Sequence, residues 1–172
     1  MTTLHDSSPS NVQATLNQWF ITEAAKITKP SWLPSYTVTN TIPEDGIATP
    51  SFSVIHLPAA QRSIYQGNQA EEGVTARQAL AILDISIWVS RSNINWLAQK
   101  HTMESMIALV VGLQASGAVR VQDYLSDPAS PVNVAYRITL GDLATVPTSP
   151  DPNPDIERSR NLIDYSWTIR SA

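Results

Sequence analysis

Between Ala79 and Ser90 the chain alternates without a break: Ala79, Ala81, Leu83, Ile85, Ile87 and Val89 fall on one side of an extended backbone, and Leu80, Ile82, Asp84, Ser86, Trp88 and Ser90 on the other. A helix would scatter these residues around its circumference, whereas a period of two puts each set on one face of a strand. The first face is wholly apolar and the second is mixed, the signature of a strand buried on one side. The pattern predicts a strand of about 14 residues, ~45 Å at ~3.3 Å per residue, where an ordinary strand has about five or six. So long a strand is expected to overrun its sheet and form one side of a projecting hairpin with residues 51–66.

The flanking patterns fill in the rest. Ser8 followed by Pro9 is a helix start, a capping hydroxyl ahead of a residue whose missing N–H costs nothing in the first turn. Ser10 with Gln13 offers an alternative capping box. Val12, Leu16, Trp19, Phe20, Glu23 and Ile27 keep helical spacing, and Pro30 and Pro34 stop the run. Tyr36 to Asn40 and Ser51 to Leu57 read as strands. Asn93 reads as the cap of a second helix over 93–114, with Leu97, Met103, Met106, Ile107, Val110, Val111 and Leu113 as its apolar stripe. Three more strands follow at Ala118–Tyr124, Val132–Leu140 and Leu162–Arg170, with a proline-rich loop over 146–156 that suits no sheet interior. The fold expected is α+β: one domain over 1–172, a mostly antiparallel β-sheet, two main helices on one face and a long projecting β-hairpin. Residues 1–9 are expected to be a flexible terminus.

The hairpin connection, residues 59–73, is longer and more polar than a turn of two to five residues requires. Few of its side chains could offset the entropy of ordering the backbone, which predicts mobility until a neighbour orders it. Arg62, Ile64, Tyr65, Gln66, Glu71 and Glu72 are its candidate interface residues, with Ile64 and Tyr65 as anchors. Asp84 joins that set as a carboxylate midway along an apolar strand. Either its face meets solvent or a partner, or it makes a buried pair with an arginine across a subunit boundary.

Little else in the sequence points to chemistry. The 172 residues include no cysteine, which removes disulfides, thiolate metal sites and thiol catalysis together. The three histidines, His5, His56 and His101, lack the short spacing of a metal set. His101 and Glu104 have the i, i+3 spacing of carboxylate-bridged metal bundles, but those need several such helices. The acidic pairs Glu44-Asp45 and Glu71-Glu72 read as solvated turns rather than acid–base pairs. No phosphate-cradling glycine motif or nucleophile elbow is present. The expectation is a protein without catalytic residues, metal or cofactor. A net charge of −4, with 11 basic residues scattered along the chain, argues against sequence-specific nucleic-acid binding. The start of the chain lacks a basic and then apolar signal pattern, and no apolar run approaches the ~20 residues of a membrane span. A soluble protein made in the cytoplasm is expected.

The order of elements, with the run Ser51-Phe-Ser-Val-Ile, the strand Leu83-Asp-Ile-Ser-Ile-Trp-Val-Ser-Arg91 and the helix from Trp96 to Met106, resembles the tail-terminator (tail completion) proteins of long-tailed bacteriophages and the related neck and head–tail joining proteins. The resemblance implies a virion protein assembled in the host cytoplasm. It implies a homo-hexameric ring that caps the tail tube, stops its polymerisation and joins the tail to the head. Its partners would be further copies of itself, the tube protein, a head-completion or neck protein and, in a contractile tail, the sheath. DNA would pass through the pore without sequence-specific binding. Other readings of the same residues are a different neck or tube subunit, a small-molecule module with a pocket between Trp19, Trp32 and Trp96, and, least, an enzyme.

Overall fold

The structure, a computed structural model, describes residues 8–40, 49–63, 75–113, 119–124, 127–146 and 154–171. The expected N-terminal tail (1–7), most of the hairpin connection (64–74) and most of the proline-rich loop (147–153) lie outside the described residues.

The elements run α1 (Pro9–Lys26), β1 (Thr37–Thr39), β2 (Ser51–Ser63), β3 (Thr75–Ser90), α2 (Trp96–Leu113), β4 (Val119–Asp123), β5 (Val132–Val146) and β6 (Ile156–Ser171). The sheet order is β1-β2-β3-β6-β5-β4. This is the α+β order expected, in a mixed sheet: β1 pairs parallel with β2, and the remaining ladders are antiparallel.

At the centre lies β3. It pairs with β6 from Thr75↔Ser171 to Ser90↔Ile156, and with β2 from Ser63↔Arg77 to Ser51↔Trp88. The long hairpin therefore exists, but it is not a bare two-stranded ribbon, because β6 runs beside β3 along its whole length. β5 reaches β6 only as far as Thr139↔Ser166. Beyond that point the sheet continues as three strands.

Strand β5 turns the sheet's corner. Its first half pairs with β4, from Val132↔Asp123 to Ile138↔Val119, and its second half with β6. A register shift between Leu140 and Leu143 falls on Gly141-Asp142. A β-carbon at Gly141 would come within 3.2 Å of the Asp164 carbonyl oxygen, so the close approach of the two strands favours glycine. A second shift, between Leu57 and Ala60, takes up Pro58, which has no N–H for a ladder. Residues 59–63, expected in the loop, accordingly belong to β2.

Both helices lie on one face. In α1, Ser8 Oγ accepts from the Asn11 N–H with Pro9 in the first turn, as the sequence predicts, and Val12, Leu16, Trp19, Phe20 and Ala24 are buried. Phe20 and Tyr36 meet the Phe52 ring edge-on at 5.3 and 5.1 Å, and the Tyr36 hydroxyl donates to the Ala24 carbonyl at the helix end. α1 also lies along the outer edge of β4. Thr15 Oγ1 accepts from the Gln122 N–H at 2.9 Å, and Asn11 Oδ1 accepts from the Tyr124 N–H at 3.0 Å.

In α2, Met103, Met106, Ile107 and Val110 are buried, whereas Leu97, placed in the apolar stripe by spacing, is half exposed. The helix starts at Trp96, two residues later than a cap at Asn93 implies. Asn93 Oδ1 instead accepts from the Asn95 N–H, closing a side-chain turn ahead of Trp96. Beneath the helices, Phe52 and Val54 of β2, the six apolar residues of β3 from Ala79 to Val89, and Ile163, Tyr165 and Trp167 of β6 form the core.

Ile107 is fully buried, while Leu109 on the same helix is 56% exposed. Ile107→Ala is therefore expected to cost roughly 2–5 kcal/mol in urea denaturation. Leu109→Ala is expected to stay within about 0.5 kcal/mol.

Candidate functional site: the open face of the sheet

The opposite face of the sheet receives no hydrogen bond or ring contact from either helix among the described residues. By register it carries Ser51, Ser53, Ile55 and Leu57 of β2, Leu80, Ile82, Asp84, Ser86 and Trp88 of β3, and Arg158, Arg160 and Leu162 of β6. Asp84, Ser86, Ser53, Ser51 and Trp88 are nevertheless buried. Arg158 and Arg160 lie against Trp88, Ser86 and Asp84.

Asp84 organises this end. Arg160 donates to Asp84 Oδ2 through Nε at 2.8 Å, and its terminal nitrogen lies 2.6 Å from the same oxygen. Ser86 Oγ donates to Asp84 Oδ1 at 2.8 Å and accepts from Arg158 Nε at 3.0 Å. The Arg158 guanidinium stacks over the Trp88 ring, 4.7 Å from its centroid, and the Trp88 indole N–H donates to Ser53 Oγ. Asp84 is thus flanked by two arginines whose side chains are 21% and 31% exposed. The pairing foreseen for Asp84 across a subunit boundary is thus met within the chain, by β6. The Ser51 hydroxyl, opposite Trp88, is buried and has no hydrogen-bond partner among the described residues.

Towards the hairpin end the same face becomes aliphatic, with Ile55, Leu57, Leu80, Ile82 and Leu162 half-buried. Where β5 leaves β6 a cavity of about 370 Å³ opens, lined by Leu80, Ala81, Ile82, Thr139, Leu140, Gly141, Asp164, Tyr165 and Ser166. Exposed Asp164 is part of that lining.

Of the other residues singled out by sequence, Arg62 lies in β2 opposite Gln78. Ile64, Tyr65, Gln66, Glu71 and Glu72 lie outside the described residues. His101 reaches Glu104 at 3.4 Å, and among the described residues no group of three or more His, Cys, Asp or Glu could hold a metal. Trp19 is in the core, Trp32 is 46% exposed, and neither they nor Trp96 line the cavity.

Two polar clusters fix the helices to the sheet, and the sequence did not announce them. His56 Nδ1 lies 2.9 Å from the Tyr165 hydroxyl and Nε2 lies 2.9 Å from Asn17 Oδ1, so a β2 side chain bridges α1 and β6. Burial pushes the imidazole down to about 4 and the Tyr165 hydroxyl up to about 12. Glu157 is held by Arg91 and Lys100. Its burial alone would raise the carboxyl, but the hydrogen bonds and charges of these two partners outweigh that and hold it low.

The chain matches no protein-family model and no curated protein. Among solved structures, a chain of the "Virion of native gene transfer agent (GTA) particle" is similar over 94% of this chain and 98% of that chain, at 13% sequence identity and a TM-score of 0.43. At that score two chains need not share a fold.

Removing the Asp84 carboxylate would take away the buried anion that both guanidiniums approach. Asp84→Ala is expected to cost about 2 kcal/mol or more, less than the ~3–5 kcal/mol of a fully buried broken pair, because both arginines reach solvent. Urea denaturation checks it. A second expectation concerns pH. With its folded pKa below its unfolded one, His56 contributes stability that is complete above about 6.5 and is lost as pH falls towards about 4. Glu157, also lowered, adds a loss only below the ordinary carboxylate range. The urea midpoint should therefore already fall between pH 6.5 and 5, and His56→Gln should flatten that part of the profile.

Proposed function

We propose that this chain is a structural subunit of a phage-like virion, and specifically a tail terminator that assembles as a ring on the end of the tail tube. The observation that carries this reading is the asymmetry of the sheet. Two helices cover one face, while the other presents a row of half-buried aliphatic side chains with an internally satisfied arginine–carboxylate lattice beside it. Such a surface, apolar in the middle and polar at its margin, is what a contact between subunits is made of. The element order on which the sequence resemblance to tail terminators rests also recurs in the folded chain.

The polar groups support a structural role. His56, Asp84, Glu104 and Glu157 are each taken up by bonds that hold strands and helices together. In this reading the protein is not an enzyme, requires no cofactor and works by shape. Its partners are other copies of itself, the tube protein and a neck protein, with DNA passing through the ring.

A particle lacking this protein should have tails of unregulated length or tails that fail to join heads, by negative-stain imaging. Restoring the full chain should return normal length and joining, while a chain lacking residues 66–72 should fold, by circular dichroism, without restoring them. Normal tails in its absence would overturn the reading. Long tubes formed by the pure protein would assign it to the tube instead.

A further inference from the structure

The β3–α2 junction ends in an aliphatic knob. The side-chain turn at Asn93, with the Trp96 N–H donating back to the Asn93 carbonyl at 3.0 Å, turns Ile94 outward until it is 95% exposed, and Leu97 beside it is 49% exposed. The junction is firmly held. Arg91 and Lys100 both grip Glu157, the Arg91 N–H donates to the Asp155 carbonyl at 2.7 Å, and the Arg91 guanidinium lies 6.0 Å from the Trp96 ring centroid. A β-branched residue fixed in water on a rigid turn is a preformed anchor, since little conformational freedom is lost when it is buried.

We infer that Ile94 and Leu97 of one copy dock into the cavity over Leu80 and Ile82 of a second copy, a contact that rests on the ring reading above. The cavity has the complementary character: Leu80, Ile82 and Leu140 make it largely aliphatic, its volume of about 370 Å³ suits aliphatic side chains, and exposed Asp164 is its one charged lining residue. The knob's own segment, residues 91–101, carries Arg91 and Lys100 and no carboxylate, and the Arg91 side chain stays 45% exposed despite its bond to Glu157.

A knob cannot fill the cavity of its own chain. Leu80 and Ile82 lie about ten residues before the start of the knob, roughly 30 Å along β3 at ~3.3 Å per residue. The two patches also differ, so the contact is heterologous rather than two-fold, and each added copy leaves one knob and one cavity unfilled until a ring closes. An anchor of two side chains is smaller than a standard stable interface, so isolated copies associate weakly and closure needs a template.

Because the chain has no cysteine, introduced thiols report contacts without background. The double variant Ile94→Cys/Ile82→Cys, treated at high concentration with a short bismaleimide that tolerates a few ångströms of offset, should give a ladder of dimer, trimer and higher species. Mixing the two single variants should stop at dimer, and either single variant alone should give at least tenfold less. Asp164→Lys in the double variant should lower the yield several-fold, as should high salt. Circular dichroism establishes that each variant is folded, and Leu80→Cys replaces Ile82→Cys if that one is not. No ladder, or as much dimer from one single variant as from the mixture, overturns the contact. Rings in the virion without a ladder would sink this contact and leave the ring reading standing. A ladder from a protein absent from virions would do the reverse.

Discussion

The long ladder between β3 and β6 is the constraint on which the other elements depend. A strand of 16 residues with an apolar side throughout cannot be satisfied by a neighbour of ordinary length. β6 meets it residue for residue, and β2 covers most of its other edge. Once these three strands are fixed, the positions of the helices follow. Glu104 and Lys100 of α2 reach Ser159 and Glu157 at one end of β6, and Asn17 of α1 reaches His56 further along the sheet. The corner in β5 lets a small chain close its core around a strand that would otherwise project as a naked ribbon.

The lattice around Asp84 acts on this ladder as a register pin. A slip of one residue would turn Asp84 and Ser86 towards Met103 and Ile107 and push Ile85 and Ile87 out among the arginines. The cost would be a desolvated carboxylate without a partner, far larger than the value of the pair itself, because two charges that meet inside a protein have each already lost water. On the helix side the same segment of β6 is also polar. Asn161 donates to the Ile85 carbonyl and accepts from Thr145, and Ser159 donates to Glu104. Both faces of that stretch are therefore tied by directional bonds rather than by packing alone.

That double polarity explains what could be read from the sequence and what could not. The alternation of β3, the periodicity of both helices and the cap at Ser8 act through neighbours in the chain, so spacing alone discloses them. The first six residues of β6, Ile156 to Asn161, show no apolar alternation, because Ser159 and Asn161 occupy inward positions with bonded partners. They read as the margin of a loop, and nothing local marks Arg158 and Arg160 as the partners of Asp84. Gly141-Asp142 and Pro58 hid the far ends of β5 and β2 in the same way, as bulges that interrupt the period. The His56 bridge depends on residues 39 and 109 positions away, a pairing with no local signal. The candidate site was legible only at Asp84 itself, the one charge out of keeping with its strand.

At the rim of the sheet, α1 closes off β4. Thr15 and Asn11 occupy backbone groups of Gln122 and Tyr124 that an unguarded outermost strand would offer to another chain. The far rim, β1, is only three residues long. A second molecule cannot prolong this sheet through β4 without first levering off a helix that is part of the core. Growth by strand-upon-strand continuation, the route by which sheets run on into open-ended filaments, is shut on that side. At the β4 end, copies that associate must do so through faces and turns, where geometry can make the last copy meet the first.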